Sequence, residues 1–189
     1  MHPSPLEIDA WLWEAWLAYW MIAAFFANRS KVQENHLIRL THSLPLLAGF
    51  VLMFHIGFDG SLIHDRFFNS LTIRRAGIAP TALGLLFSVW ARVHLGRYWS
   101  GIITLKEGHK LIRTGPYRFV RHPIYTGLLI AALGSAISAA TGDAFIGFAL
   151  ILISIFFKSR REETLLTGEF GEEYLRFKRE VPGLCPLIY

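Results

Sequence analysis

The sequence has 189 residues, 53% of them hydrophobic, and a mean hydropathy of +0.39. This length allows one domain, and the composition excludes an ordinary water-soluble globular protein, so the chain is predicted to lie in a membrane. The net charge of +5 does not indicate nucleic acid as a partner, because the basic residues stand between apolar segments, where they orient membrane helices. A single cysteine excludes an internal disulfide and a cysteine metal cluster.

Five apolar segments follow one another along the chain, and each is predicted to be a membrane helix. They run from Trp11 to Ala27, Leu44 to Phe58, Ala76 to Leu95, Pro123 to Ala140 and Ala144 to Phe157. The last two are short and form one helical hairpin, because residues 141–143 join them as a tight turn. Small residues between Gly127 and Ser138 recur at helical spacing, and we expect this face to pack against the fifth segment.

Lysine and arginine set the predicted orientation, since cytoplasmic links carry an excess of both. The links 28–41 and 96–122 and the tail 158–189 are basic and are assigned to the cytoplasm. The N-terminal decapeptide and the turn at Thr141 have neither residue and are assigned to the outside. The link 59–75 departs from this pattern, because it is predicted outside and yet contains Arg66, Arg74 and Arg75.

The tail beyond the fifth segment is charged but keeps a helical pattern of apolar residues. Leu166, Phe170, Tyr174 and Phe177 recur at spacings of three or four, which predicts one amphipathic cytoplasmic helix or two helices broken at Gly171. The predicted fold is therefore an all-α integral membrane protein with about five transmembrane helices, a long ordered loop and this C-terminal helix. Within one domain, residues 1–95 are expected to face lipid and substrate, and residues 96–189 to bind a cofactor.

The link 96–122 is long for a small membrane protein, which favours a function for it. Gly115-Pro116 indicates a turn, and Pro123 suits the first turn of a helix. His122 would then lie at the helix mouth, beside unpaired backbone N–H groups that favour an anion such as a cofactor carboxylate. A solvated basic loop is the alternative, and spacing alone leaves both open.

A second polar cluster, residues 158–163, follows the fifth apolar segment. Lys158 and Glu162 are four residues apart, on one helical face. They form either an exposed salt bridge or a pair in which Lys158 faces a bound anion and Glu162 a bound cation.

Four motifs in this half resemble the signature of the isoprenylcysteine carboxyl methyltransferase family, whose wider relatives include small phospholipid N-methyltransferases. They are Gly115-Pro-Tyr117, Arg121-His-Pro-x-Tyr125-x-Gly127, the Glu162-Glu163 pair, and Phe170-Gly-Glu-Glu-Tyr-Leu175 with Val181-Pro182 beyond it. The resemblance covers roughly residues 96–189. It implies S-adenosylmethionine as cofactor, S-adenosylhomocysteine as product, and a lipophilic methyl acceptor among membrane lipids.

The resemblance also assigns residues by position. The cofactor-binding residues that it implies are His109, Lys110, Leu111, Ile112, Tyr117, His122, Pro123, Ile124, Tyr125 and Glu162. A substrate-binding residue falls on Lys158, where the family has arginine, so the planar fork that grips a carboxylate is lost. No catalytic residue is assigned firmly. Glu163 and Arg121 are candidates, and an amine acceptor would make His122 or Glu163 the candidate base.

Several functions stay open at this point. The methyl acceptor is a prenylated cysteine carboxylate, an aminophospholipid headgroup or a small hydrophobic thiol or acid. An NADPH-dependent membrane reductase and a non-catalytic membrane module are the more remote alternatives. No metal site is expected, because the eight histidines are scattered rather than clustered. The tryptophans between Trp11 and Trp20 are interpreted as an interfacial belt and packing residues.

Overall fold

The computed structural model describes residues 3–26, 30–33, 36–55, 66–99, 104–106 and 111–185, and these residues are mostly helical. The helices are α1 (Pro5–Ala24), α2 (His36–Phe54), α3 (Leu71–Ala76), α4 (Ile78–Leu95), α5 (Pro123–Ala139), α6 (Gly142–Phe170) and α7 (Glu172–Glu180). Two short strands that the sequence did not indicate, β1 (Ser30–Gln33) and β2 (Thr104–Lys106), pair antiparallel. The all-helical membrane fold that was predicted is therefore confirmed, with this small ribbon added to it.

Within the described residues, three stretches are long and apolar enough to cross a membrane: Leu37–Phe54, Leu71–Leu95 and Gly142–Phe170. Helix α5 is apolar but shorter. Helix α1 begins earlier than the apolar segment, because Ser4 and Glu7 form a capping box around Pro5. The number of spans, about five, stays a prediction.

The small-residue face of α5 packs against α4, so the expectation that it packs mainly against the fifth segment was wrong. A Cβ atom on Gly84 would lie 2.4 Å from the Gly127 carbonyl oxygen, and one on Gly127 would lie 2.5 Å from the Gly84 oxygen. The two backbones therefore touch directly, as small residues allow in membrane helices. Helix α6 has its own glycine contact with α2, where a Cβ on Gly147 would lie 2.5 Å from the Gly49 oxygen.

The turn between α5 and α6 lies where the sequence placed it. Ala140 adopts the left-handed conformation (φ 61°) after α5, and the Thr141 side chain accepts a hydrogen bond from the Ala144 N–H at 3.4 Å. Arg74 donates from Nε to the Ser138 carbonyl at 2.9 Å, close to the end of α5. A cation is favourable at a helix C-terminus. Arg74, one of the basic residues by which the link 59–75 departs from the predicted orientation, therefore has a structural role.

The C-terminal region forms two helices rather than one, because the chain bends sharply at Gly171. This residue has φ 52° and ψ −127°, a backbone conformation that favours glycine. Beyond the bend, Tyr174, Phe177 and Val181 pack against Leu111, Leu166 and Phe170. Helix α7 therefore lies over the loop that leads to α5.

Candidate active site

The loop before α5 brings Tyr117 into the protein interior. Gly115 (φ 59°) opens a 3-10 turn over Gly115–Arg118, and a Cβ there would lie 2.6 Å from the His94 ring. The His94 ring also stacks near Tyr117, with centroids 6.4 Å apart. Burial is the main cause that raises the pKa of Tyr117 above its usual value, and the Glu162 carboxylate is the second. The Tyr117 hydroxyl therefore keeps its proton.

His122 lies at the mouth of α5, as the sequence predicted, but the backbone N–H groups beside it are not free. The Arg121 N–H donates to the Pro182 carbonyl at 2.8 Å, and the His122 N–H donates to the Gly183 carbonyl at 3.1 Å. The carbonyls of the C-terminal segment occupy these two groups and tie that segment to the start of α5. Both groups precede the first helical turn, so the binding of an anion at that turn stays a prediction.

The side chains at the mouth of α5 meet the cluster at the end of α6. The Tyr125 hydroxyl donates to Glu162 Oε2 at 2.7 Å, and the Tyr125 ring stacks on His122 with centroids 5.5 Å apart. The Lys158 ammonium lies 5.6 Å from the centre of the Tyr125 ring. A carboxylate, an ammonium group and two aromatic rings thus converge at one place.

Glu163 belongs to a separate buried network behind this surface. Its Oε1 accepts from Arg121 Nε at 2.9 Å and Nη2 at 2.6 Å, and His122 Nε2 lies 3.3 Å away. Its Oε2 lies 2.9 Å from the Lys178 ammonium. Arg121 also donates to the carbonyls of Lys178 and Val181. A carboxylate held by three such partners is poorly suited to accept a proton from a substrate.

A cavity of about 350 Å³ joins these parts. Its lining includes every described residue that was predicted to bind the cofactor: Leu111, Ile112, Tyr117, His122, Pro123, Ile124, Tyr125 and Glu162. Lys158 and Arg121 line it as well, whereas Glu163 does not. His109 and Lys110 lie outside the described residues.

The other wall of the cavity is apolar and comes from the first half of the chain. Helices α1 and α2, the end of α4 and the turn after it contribute Trp16, Leu17, Trp20, Leu46, Leu95 and Trp99. Trp16 stacks on Trp20 with centroids 4.3 Å apart, and its indole N–H donates to Ser88 Oγ at 2.8 Å. The packing role predicted for the tryptophans holds for Trp13, Trp16 and Trp20, whereas Trp11 is exposed. The place of Trp16 and Trp20 in the cavity wall was not foreseen.

Two further residues of this region were missed in the sequence. Arg92 donates to the carbonyls of Ala23 and Gly96, and its guanidinium lies 4.4 Å from the centre of the Trp99 ring, so it fixes the apolar wall. Tyr174 lines the cavity, although the sequence placed it only on an apolar helix face and in the motif Phe170-Gly-Glu-Glu-Tyr-Leu175, without a role in binding. A cation near a helix end was the signal for Arg92, and no local pattern distinguished Tyr174 from Phe177.

Comparison with known proteins identifies related chains. The model of the isoprenylcysteine carboxyl methyltransferase (ICMT) family matches residues 78–168. A probable protein-S-isoprenylcysteine O-methyltransferase from Oryza sativa subsp. indica is 28% identical over 95% of this chain and 97% of its own length. A Delta(14)-sterol reductase from Methylotuvimicrobium alcaliphilum is 24% identical over 92% of this chain but only 38% of its own length.

A solved structure supports the fold. A eukaryotic intramembrane Ras methyltransferase, an isoprenylcysteine carboxyl methyltransferase, superposes with a TM-score of 0.57 at 21% identity. The superposition covers 82% of this chain and 55% of the solved chain. The arrangement of helices is therefore that of an isoprenylcysteine carboxyl methyltransferase, although this chain spans about half of that protein's length.

Proposed function

We propose that this chain is a member of the isoprenylcysteine carboxyl methyltransferase family, and that it transfers a methyl group from S-adenosylmethionine to a lipophilic acceptor in the membrane. The reaction that it resembles most is carboxyl O-methylation of an isoprenylated cysteine. One observation carries the proposal: a single cavity takes all of its charged lining residues, together with apolar ones, from the second half of the chain and has an apolar wall from the first half.

The residues of the polar wall fit the cofactor. S-adenosylmethionine, when bound, supplies a methyl group on a positively charged sulfur. The rings of Tyr117 and Tyr125 offer aromatic faces to a cation, and Glu162 offers a carboxylate beside them. We assign cofactor binding to the eight predicted residues that line the cavity. His109 and Lys110, which lie outside the described residues, are still expected to bind the cofactor as well.

The apolar wall fits the acceptor. Trp16, Leu17, Trp20 and Leu46 give a hydrocarbon chain a surface that water does not compete for. Lys158 lines the same cavity and supplies a positive charge near the Tyr125 ring. A carboxylate at the end of an apolar chain therefore matches both features.

The chemistry asks little of the protein beyond placement. Methyl transfer is an in-line displacement, so the chain must align the nucleophile with the methyl group and exclude water. A carboxylate or thiolate needs no base, whereas an ammonium group must first lose a proton. Glu163 is engaged with Arg121 and Lys178, so His122, which lines the cavity, stays the candidate base for an amine acceptor, and a carboxylate acceptor needs neither. Arg121 and Glu163 are proposed to position the site rather than to react.

The proposed orientation follows the basic residues. The cavity lies next to the basic loop and tail, which supports a location at the cytoplasmic face, with the N-terminus outside. A water-soluble methyl donor would then enter from the cytoplasm and a lipophilic acceptor from the bilayer.

The likeness to a sterol reductase gives one competing function, reduction by NADPH. It predicts binding of the nicotinamide cofactor at this cavity and no methyl transfer. Aminophospholipid N-methylation and methylation of a small hydrophobic thiol or acid use the same cofactor and differ only in the acceptor.

The test is methyl transfer from labelled S-adenosylmethionine, with purified protein in detergent. The acceptors are an S-farnesylcysteine derivative with a free carboxylate, its amide, a long-chain thiol and phosphatidylethanolamine. We expect a labelled methyl ester from the carboxylate and no product from the amide. Label in the phospholipid or the thiol alone would move the proposal to those acceptors, and no transfer to any acceptor would contradict methyl transfer.

A further inference from the structure

Tyr174 of α7 has a buried hydroxyl with nothing to donate to. The residue is 1% exposed and lines the cavity. Among residues 3–26, 30–33, 36–55, 66–99, 104–106 and 111–185, no atom accepts a hydrogen bond from this hydroxyl. In contrast, the Tyr125 hydroxyl, on another side chain of the same cavity, donates to Glu162. Folded proteins leave few buried polar groups unpaired, because each such group is destabilising.

The surroundings of this hydroxyl keep its proton in place. Burial, and the carboxylates of Glu163 and Glu162, raise the pKa of Tyr174 above its usual value. Arg121 is the neighbouring cation, but a guanidinium group has only donors, and it already donates to Glu163, Lys178 and Val181. The phenol therefore holds a proton for which the described part of the chain offers no acceptor.

Packing fixes the direction of the hydroxyl as well. The Tyr174 ring meets the Phe177 ring edge to face, with centroids 6.1 Å apart, and Leu111, Leu166 and Phe170 pack around this pair. Helix α7 is held at its end by an ion pair between Arg113 and Glu180. A ring enclosed in this way cannot turn its hydroxyl to solvent, so the donor is set in place before any ligand binds.

We propose that Tyr174 is a further donor-binding residue, whose hydroxyl donates a hydrogen bond to an oxygen or ring nitrogen of bound S-adenosylmethionine. This inference rests on the proposed function. Position favours the methyl donor over the methyl acceptor, because Tyr174 packs with Leu111 of the cofactor loop, whereas the apolar wall lies mainly on α1 and α2. The hydrocarbon chain of the methyl acceptor has no hydrogen-bond acceptor and its carboxylate is assigned to Lys158, whereas the methyl donor has many acceptor atoms.

The test is the substitution Tyr174→Phe, which removes the hydroxyl and keeps the ring. Two opposite effects are expected. In the ligand-free protein the melting temperature stays the same or rises, because an unpaired buried hydroxyl is gone. The affinity for S-adenosylhomocysteine, measured by calorimetry, falls about tenfold, because a hydrogen bond in a water-excluded site is lost. The KM of the lipophilic acceptor at saturating methyl donor stays unchanged.

Tyr19→Phe is the matched control, because Tyr19 lies on α1 and does not line the cavity. It should leave the melting temperature and the affinity as they are. Equal affinity of the wild-type and Tyr174→Phe proteins would overturn this inference alone. A lower melting temperature of ligand-free Tyr174→Phe would overturn it too, since the hydroxyl would then have a partner within the protein. Wild-type protein that binds no S-adenosylhomocysteine would overturn the proposed function along with it.

Discussion

Glu162 and Glu163 are neighbours in the sequence and have opposite surroundings in the structure. The Glu162 side chain is 35% exposed, lines the cavity and accepts from Tyr125, whereas the Glu163 side chain is 5% exposed and joins Arg121 and Lys178. Successive residues of a helix point about 100° apart, so one turn of α6 can serve both the cavity and the packing behind it. The comparison teaches that a doubled charge in a motif need not mean a doubled function.

The largest expected effect is on stability, from Glu163→Ala. The substitution leaves the buried Arg121 and the partly exposed Lys178 without their shared carboxylate, which should cost about 3–5 kcal/mol of unfolding free energy. Thermal unfolding in detergent measures the loss. Glu162→Ala is the matched control one residue away, and an equal loss there would remove the distinction between the two glutamates.

The next effect is on binding, from Glu162→Gln. This change removes the charge and keeps the side-chain size, so the affinity for S-adenosylmethionine should fall about tenfold or more while the melting temperature stays the same. Calorimetry with the wild-type and variant proteins measures it. Unchanged affinity would show that Glu162 faces no bound cation.

Lys158 should share the cavity role of Glu162. Lys158→Met is expected to raise the KM of a carboxylate acceptor several-fold without changing S-adenosylhomocysteine affinity, because an opposite charge is lost at the acceptor end. Lys158→Arg should lower that KM, since arginine adds bidentate contact. Steady-state kinetics with the farnesylated acceptor measures the KM of both variants. An unchanged KM in Lys158→Met would exclude contact between Lys158 and the carboxylate of the acceptor.

Lys178 should share the structural role of Glu163, with the smallest effect of the four. The Lys178 side chain is partly exposed, so Lys178→Met should lower the unfolding free energy by about 1 kcal/mol and leave the acceptor KM unchanged. Thermal unfolding and kinetics on one preparation separate the two. A raised KM without loss of stability would place Lys178 on the cavity side instead.

Local signals in the sequence predicted much of this arrangement. The turn at Thr141 and the break at Gly171 follow from residue types that favour them, and Pro123 marks the first turn of α5. The motifs also predicted which side chains meet, because Tyr117, Tyr125 and Glu162 line one cavity. That they bind a cofactor stays a proposal.

Contacts between distant residues were not predictable in this way. The Gly183 carbonyl that accepts from the His122 N–H lies far along the chain, and no local pattern announces it. The small residues of α5 predicted a close contact with another helix but did not show which helix, since α4 and α6 both have glycines on their surfaces. The tryptophans of α1 likewise indicated a membrane segment but not which of them line a cavity, because that depends on contacts with distant residues.

Calorimetric titration of S-adenosylhomocysteine into detergent-purified wild-type protein, with NADPH in a parallel cell, tests the central claim most directly. The account predicts one molecule of S-adenosylhomocysteine bound per chain and no heat with NADPH. Folded protein that binds NADPH, or that binds neither compound, would contradict it.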